Sequence, residues 1–562
     1  MDKNKIKKAK SLQEKGQLNR ASLIFTELLA SDPKLFSALY GLGIISAEQG
    51  DFVKALNLFK KATPGPKEKA KYYLYLGHIY RKLKEFANAL EAYQNAAKAG
   101  LKSVDLHLSL ANLYMLSANQ NAALLEYDAA LKLDPASTLA HYQLGLYFLK
   151  TRSYDWAKIQ FNNVLNLNPH DINALFHLAV CSLYKEELDE AQSQLEQVLK
   201  FDPEYIEAFI NLGALALKKG QGQEAINNFT KALTLNPENT AARSNLAATF
   251  MHYSRHENAL THYLILLQRD PSNLDYLYNS AVAEMTLGQY ENAKAKFLSI
   301  LAIDEKHFET LYNLGVLTMR LRQTSKAITY LANAHAIKPT DASCCHLLNA
   351  LRGSDSSNEV AIEHALQLFD QYSSYYEKHL LQTLNYRLPV IIGSFLTTHD
   401  LNNRSQTLDL GCGTGLCGEI IKPMTKYLVG VDLSAKMIER AQEKTCYDEC
   451  IIDEALHFLQ NCSQEFDLII ASDLFPYIGE LDAYFTAINK CLKNGGSFIF
   501  TIETTTNKPW MLQETARFAH NIEYIETLCI NNSLKVCSHE TKPARDQAGE
   551  VLPVELFWVF KN

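Results

Sequence analysis

The chain has 562 residues, 47% of them hydrophobic and 21% charged, with a formal charge of −7. Such a length allows more than one core, and the composition is that of an ordinary globular protein without low-complexity bias. A slightly acidic chain without clustered Lys and Arg argues against nucleic acid as a partner, and no run of about 18 apolar residues offers a helix for membrane insertion.

The first ten residues are basic, but no apolar stretch follows them, so they read as a solvated helix face and not as a secretory signal. Of eleven cysteines, ten lie after residue 340. Their spacings (Cys344-Cys345, Cys412/Cys417, Cys446/Cys450) fit neither a zinc site nor a secreted disulfide frame. The expectation is a cytoplasmic protein with no bound metal.

A period of 34 residues governs the N-terminal part. Leu76-Gly77, Leu110-Ala111, Leu144-Gly145, Leu178-Ala179, Leu212-Gly213, Leu246-Ala247 and Leu314-Gly315 share one register. Twelve positions on stands a small residue (Ala89, Ala123, Ala157, Ala191, Ala225, Ala259, Ala293, Ala327), and four further a large apolar one (Tyr93, Tyr127, Phe161, Leu195, Phe229, Tyr263, Phe297, Leu331). Pro135, Pro169, Pro203, Pro237, Pro271 and Pro339 close their units. The pattern predicts two antiparallel helices per unit: small residues allow close approach, large ones fill the gap, and Pro stops the second helix. It resembles the tetratricopeptide repeat, with about ten units over residues 1–341 in one continuous all-α superhelical solenoid.

That family usually binds an extended peptide or a partner's helix in its groove, which implies a protein or peptide partner. Asn211, Asn245, Asn279 and Asn313 recur one repeat apart at the sixth position of the first helix, a groove-facing place. They resemble the asparagine ladder of some protein-modifying glycosyltransferases; the same residue is also simply common at that position of the repeat.

Residues 342–359 read as a capping helix, Ala342 to Leu351, followed by the polar linker Arg352–Asn358. Helical periodicity resumes at Val360, and from Thr407 short apolar strands alternate with helices, which predicts a parallel α/β sheet over residues 360–562. The expected strands are 407–410, 427–431, 450–452, 466–471, 497–502, 534–538 and 555–560. Seven strands ending in a hairpin-like pair resemble the Rossmann-like sheet of class I methyltransferases.

The stretch Leu408-Asp409-Leu410-Gly411-Cys412-Gly413-Thr414-Gly415 ends a strand in a glycine-rich turn, against which a ligand can lie. Asp432 closes the next strand, before Leu433 and Ser434, about twenty residues on and placed to meet ribose hydroxyls. Gly413-x-Gly415-x-x-Gly418 also satisfies the dinucleotide fingerprint. Asp409 separates the two readings. An acid there repels a pyrophosphate but attracts the cationic methionine end of S-adenosylmethionine, whose demethylated product is S-adenosylhomocysteine. Cys412 and Cys417 suit the turn by their small size.

The whole chain resembles a bacterial group in which a repeat array precedes a methyltransferase. The matching segments are 368–372, 384–389, Asp409 through Gly418, 447–449 and 517–520. The resemblance implies that Asp409, Gly411, Cys412 and Gly413 line the methionine end of the cofactor and that Asp432 and Leu433 meet the ribose. After the third strand the family has Gly-Asp, where this chain has Asp453-Glu454; either carboxylate could meet the adenine amine, with Glu454 slightly preferred. Tyr372 and Tyr376 would close over the cofactor, or pack against the sheet edge.

The acceptor belongs at the carboxyl ends of the strands. Asp473 is the first candidate base there, then Glu503 and His520, each with a structural role as the alternative. Three readings follow: a methyltransferase whose repeats recruit a protein or peptide, a small-metabolite methyltransferase whose repeats serve assembly, or a non-enzymatic scaffold. The intact glycine turn with Asp409 and Asp432 argues against the third.

Overall fold

The computed structural model describes residues 2–373, 376–401, 404–506, 508–547 and 550–562. The chain forms two compact units, Met1–Asn239 and Thr240–Asn562. The first contains seven helix pairs, from Asp2–Glu14 with Leu18–Ser31 to Ile206–Lys218 with Gly222–Leu235. The 34-residue period has a direct packing cause. A Cβ at Gly145 would come within 2.7 Å of the Phe161 ring, and one at Gly213 within 2.6 Å of Phe229, so the small residue of the first helix seats the large residue of the second. Both Phe161 and Phe229 are fully buried. At the closing turns an Asp precedes Pro and accepts a backbone N–H two residues on, as Asp134 does from Ala136 at 3.1 Å.

The second unit begins with three more pairs, Thr240–His252 with His256–Arg269, Leu274–Thr286 with Tyr290–Ile303, and Phe308–Arg320 with Thr324–Ile337. The single helix Ala342–Arg352 follows and ends at Gly353 in the left-handed region, φ 64°. Its Cys344, Leu347 and Leu351 share one apolar cluster with Leu311 and Leu331 of the last pair and with Leu512 and Phe518 from far down the chain.

Arg352–Asn358, expected as a free linker, is docked. The Ser356 hydroxyl donates to His346 Nδ1 at 3.1 Å. Asn358 Oδ1 accepts from the backbone N–H groups of Gly479 at 2.8 Å and Glu480 at 3.2 Å. Ser, Asp and Asn mark linkers and caps alike, and here Ser357 caps the next helix while Asp355, Ser356 and Asn358 bond to neighbouring segments.

Nine strands form among the described residues: β1 Arg404–Leu410, β2 Thr425–Asp432, β3 Glu449–Ile452, β4 Phe466–Ala471, β5 Leu492–Thr504, β6 Trp510–Leu512, β7 Phe518–His520, β8 Leu534–Gln547 and β9 Glu550–Lys561. The order β3-β2-β1-β4-β5 is parallel, β9 runs antiparallel beside β5, and β8 pairs with β9. The expected strands all form, most of them longer than expected. The additional hairpin β6–β7 lies against the end of β5, with Glu503 opposite Ala519 and Thr504 opposite His520. Alternate residues of the central strands enter two different cores: Leu408, Val429, Ile469 and Phe498 one, Leu428, Leu468, Ile470 and Ile499 the other. Burial of both faces is what a parallel sheet requires.

Candidate active site

The glycine turn crosses the end of β2. The N–H groups of Gly411 and Cys412 donate to the Val431 carbonyl at 2.8 and 3.0 Å. Asp432 Oδ2 accepts from Gly413 N at 2.9 Å, and Oδ1 from Ser434 N at 2.9 Å. Gly411 and Gly413 take left-handed φ of 74° and 55°, which a side chain would strain. Gly415 is left-handed too, φ 87°, with the Tyr447 ring 3.0 Å from where a Cβ would stand, and a Cβ at Gly418 or Gly430 would run into that ring.

Tyr447 donates its hydroxyl to Asp409 Oδ2 at 2.7 Å. Asp409 is 1% exposed and its Oδ1 has no partner. Burial pushes its carboxyl up to about 7; the Tyr447 hydrogen bond pulls it down and the Asp432 charge adds to the rise. Burial also raises Asp432, against the N–H groups of Ser434 and Gly413. The thiols of Cys412 and Cys417 are raised well above their ordinary value, chiefly by burial, so neither is a nucleophile at neutral pH.

Two adjoining cavities open here, of about 630 and 510 Å³, with Phe369, Gly411, Asp432, Leu474 and Tyr477 common to both. The first runs from Asp409 past Gly413 and Thr414 to Tyr376, Tyr386, Ser472 and Asp473. The second, mostly apolar, is bounded by Ile362, Ala365, Leu433 and the pair Asp453-Glu454. Glu454 caps the Ala455–Asn461 helix, accepting from Leu456 N and His457 N, and receives the Tyr484 hydroxyl at 2.6 Å. Asp453 accepts from Glu454 N at 2.8 Å and pairs with His457. Tyr376 lines the first cavity. Tyr372 borders neither and its hydroxyl bonds to His379.

The three candidate bases are each engaged by neighbouring groups. Asp473 takes a left-handed φ of 58°, and its carboxylate pairs with Arg517 at 2.5 Å and Arg545 at 3.4 Å. Glu503 pairs with the same arginines at 2.6 and 3.4 Å. Each arginine thus takes one oxygen of Asp473, and both reach Glu503 Oε1. His520 is fully buried, donates Nε2–H to the Gly479 carbonyl at 2.9 Å, and is pushed down to about 4 by burial. It borders neither cavity.

The groove asparagines are each half-buried. Asn211 and Asn279 donate to the carbonyls of Glu207 and Asp275 in their own helices, both at 2.8 Å, and Asn313 donates to the Tyr278 hydroxyl at 2.9 Å. Asn245 holds the equivalent position in the Thr240–His252 helix.

The buried polar atoms fit a cationic, hydrogen-bonding guest. Asp409 Oδ1 and Thr414 Oγ1 lack partners, and both residues border the first cavity. Among the described residues no Lys or Arg lines either cavity. Thr414, Tyr386, Ser472 and Arg545 escaped the reading of the sequence. Tyr386, Tyr447 and Arg517 did lie in family-matching segments, which was the available signal.

Comparison with known proteins finds domains on both parts of the chain. The model of a methyltransferase domain matches residues 408–500, and tetratricopeptide repeat models match 6–69, 74–138 and 206–239. The ubiquinone biosynthesis O-methyltransferase of Rattus norvegicus is 28% identical over 174 residues, 28% of this chain and 49% of that protein. A probable S-adenosylmethionine-dependent methyltransferase of Saccharomyces cerevisiae is 25% identical over 105 residues, 17% of this chain and 35% of that one. The chain thus spans about half or less of the length of the curated relatives it matches. Among solved structures, the C-terminal part of a TPR repeat-containing protein from Cytophaga hutchinsonii aligns at 18% identity with a TM-score of 0.37, over 43% of this chain and 99% of that one. The chain thus carries tetratricopeptide repeats followed by a methyltransferase domain.

Proposed function

We propose that this chain is an S-adenosylmethionine-dependent methyltransferase whose repeats recruit a protein or peptide acceptor. One observation carries the enzymatic half: a cavity at the ends of β1, β2 and β4 with two unpartnered buried oxygens, Asp409 Oδ1 and Thr414 Oγ1, and no lining cation among the described residues. When bound, the cofactor supplies an electrophilic methyl group on a sulfonium. Asp409, Thr414 and the turn at Gly411–Gly413 would hold its methionine end, and Asp432 its ribose. The apolar second cavity suits the adenine, with Asp453, paired with His457, and Glu454, held by a helix cap and Tyr484, both at its rim for the amine.

Methyl transfer then depends on alignment and exclusion of water more than on a base. Phe369, Tyr376, Tyr386 and Tyr477 give the acceptor side aromatic walls. Asp473 and Glu503, tied to two arginines, stabilise that wall and leave proton removal to solvent.

A second reading, a small-molecule acceptor with the repeats used for assembly, is favoured by the relative named for ubiquinone biosynthesis. Cofactor labelled in its methyl group, incubated with lysate of parent cells lacking the gene, separates the two. Label in the protein fraction supports recruitment, label in small molecules the second reading, and label in neither refutes methyl transfer.

A further inference from the structure

Behind the acceptor wall lies a buried polar group centred on Arg517, which is 8% exposed. Its Nε donates to Glu503 Oε1 at 2.6 Å, Nη1 to the Tyr477 hydroxyl at 2.6 Å, and Nη2 to Asp473 Oδ1 at 2.5 Å. The guanidinium also lies 4.8 Å from the Tyr477 ring centroid. Arg545, on β8 and 9% exposed, reaches Asp473 Oδ2 and Glu503 Oε1 at 3.4 Å each. Two guanidinium groups against two carboxylates balance charge. Only Arg517, with its rigid five-donor fork, touches Asp473, Glu503 and Tyr477 together.

Asp473 and Tyr477 border the cavity, whereas Arg517 does not. Asp473 is held in a conformation unfavourable for a residue with a side chain, φ 58°. Two restraints keep it there: its N–H donates to Thr501 Oγ1 at 2.9 Å, and Arg517 grips its carboxylate.

Arg517 precedes β7 in a hairpin of two three-residue strands, too short to be stable alone. The repeat side fixes that hairpin. His346, in the helix that caps the last pair, donates Nε2–H to the Ala516 carbonyl at 3.1 Å. Phe518 is fully buried in the cluster of Leu347, Leu351, Leu311 and Leu331, with the His346 ring 5.8 Å away. Lys508 pairs with Asp355 at 3.3 Å.

We propose that Arg517 is a positioning residue for methyl transfer: anchored through its hairpin to the last repeat, it sets Asp473 and Tyr477 on the acceptor side of the cavity. The inference rests on the methyltransferase reading of that cavity. The last repeat is then part of the acceptor wall, and a displacement there reaches the acceptor before it reaches the glycine turn.

The test uses the full chain, with methyl-tritiated S-adenosylmethionine and gene-deleted lysate for turnover, and S-adenosylhomocysteine calorimetry for the cofactor side. Arg517→Lys keeps the charge but offers a point donor that cannot span three partners. The expected result is S-adenosylhomocysteine affinity within about threefold of wild type and turnover at saturating cofactor lower by about tenfold or more. Phe518→Leu, outside the cavity, should lower turnover in the same direction by less, again with affinity retained. Wild-type turnover in Arg517→Lys overturns the proposal. So does a parallel loss of affinity, melting temperature and turnover, which would mark Arg517 as merely structural. If Arg517→Lys does not fold, Tyr477→Phe removes only the hydroxyl that Arg517 holds, and undiminished turnover there is equally fatal. A wild-type protein that labels nothing removes the methyltransferase reading and this inference with it.

Discussion

Asp409 makes cofactor binding a titration. Its carboxyl sits at about 7 because it is buried with one oxygen unpartnered. An ammonium placed against that oxygen would favour the anion. If only the ionised form binds, the binding-competent fraction is about a tenth at pH 6 and about nine tenths at pH 8, so affinity for S-adenosylhomocysteine should rise about tenfold over that interval. Near pH 7 binding should release about half a proton, measurable by calorimetry in buffers of different ionisation enthalpy.

The same carboxyl sets the stability of the ligand-free protein, with a definite sign. Unfolded, it titrates near 3.8; folded, at about 7. Between those values the unfolded chain has lost the proton and the folded one keeps it, so stability falls as pH rises from about 4 to about 7 and then levels off. The full penalty is on the order of 4 kcal/mol at most. Asp409→Asn keeps an acceptor for the Tyr447 hydroxyl and removes the charge. It should be more stable than wild type at pH 8 without ligand, melting several degrees higher. It should also bind S-adenosylhomocysteine at pH 8 about 10- to 100-fold more weakly, with no pH dependence. A flat pH profile in the wild type, or an unchanged one in Asp409→Asn, refutes the argument.

Three further outcomes are expected. Asp432→Ala should weaken S-adenosylhomocysteine binding about 10- to 100-fold by calorimetry, and should also loosen the turn, since the carboxylate holds Gly413 N and Ser434 N. A fragment of residues 360–562 should melt well below one of residues 240–562 in a thermal scan, because it strips Leu347 and Leu351 from Phe518 and Leu512. Replacing Asn211, Asn245, Asn279 and Asn313 together with Ala should raise the KM for a protein acceptor about tenfold while leaving kcat and cofactor affinity unchanged; unchanged acceptor kinetics would remove the asparagines from recruitment.

What could be read from the sequence was what repeats or what is local. Gly145 and Phe161 stand sixteen positions apart in consecutive helices, so their packing recurs at every period and shows in the letters. The turn from Asp409 to Gly415 and the acid at Asp432 are likewise short-range features of β1 and β2. The hairpin β6–β7 was invisible because strands of three residues carry no alternation, and its stability comes from residues about 170 positions away, as the bond from His346 to Ala516 illustrates. For the same reason the sequence does not show what Asp473 and Glu503 pair with. Their arginine partners lie between 14 and 72 positions along the chain, beyond any local pattern.

The dinucleotide fingerprint teaches the opposite caution. Gly413-x-Gly415-x-x-Gly418 is met in full, yet Gly418 makes room for the Tyr447 ring, and Gly415 lies against that ring at a left-handed φ of 87°. Tyr447 occupies the space their side chains would take, together with that of Gly430, and from there it reaches Asp409. The three glycines therefore act on the site indirectly, by admitting the ring that holds one oxygen of Asp409 and leaves the other for a ligand. The acid two residues before Gly411 and the glycines after it are one device, and it is their combination that distinguishes a pocket for a cation from a pocket for a phosphate.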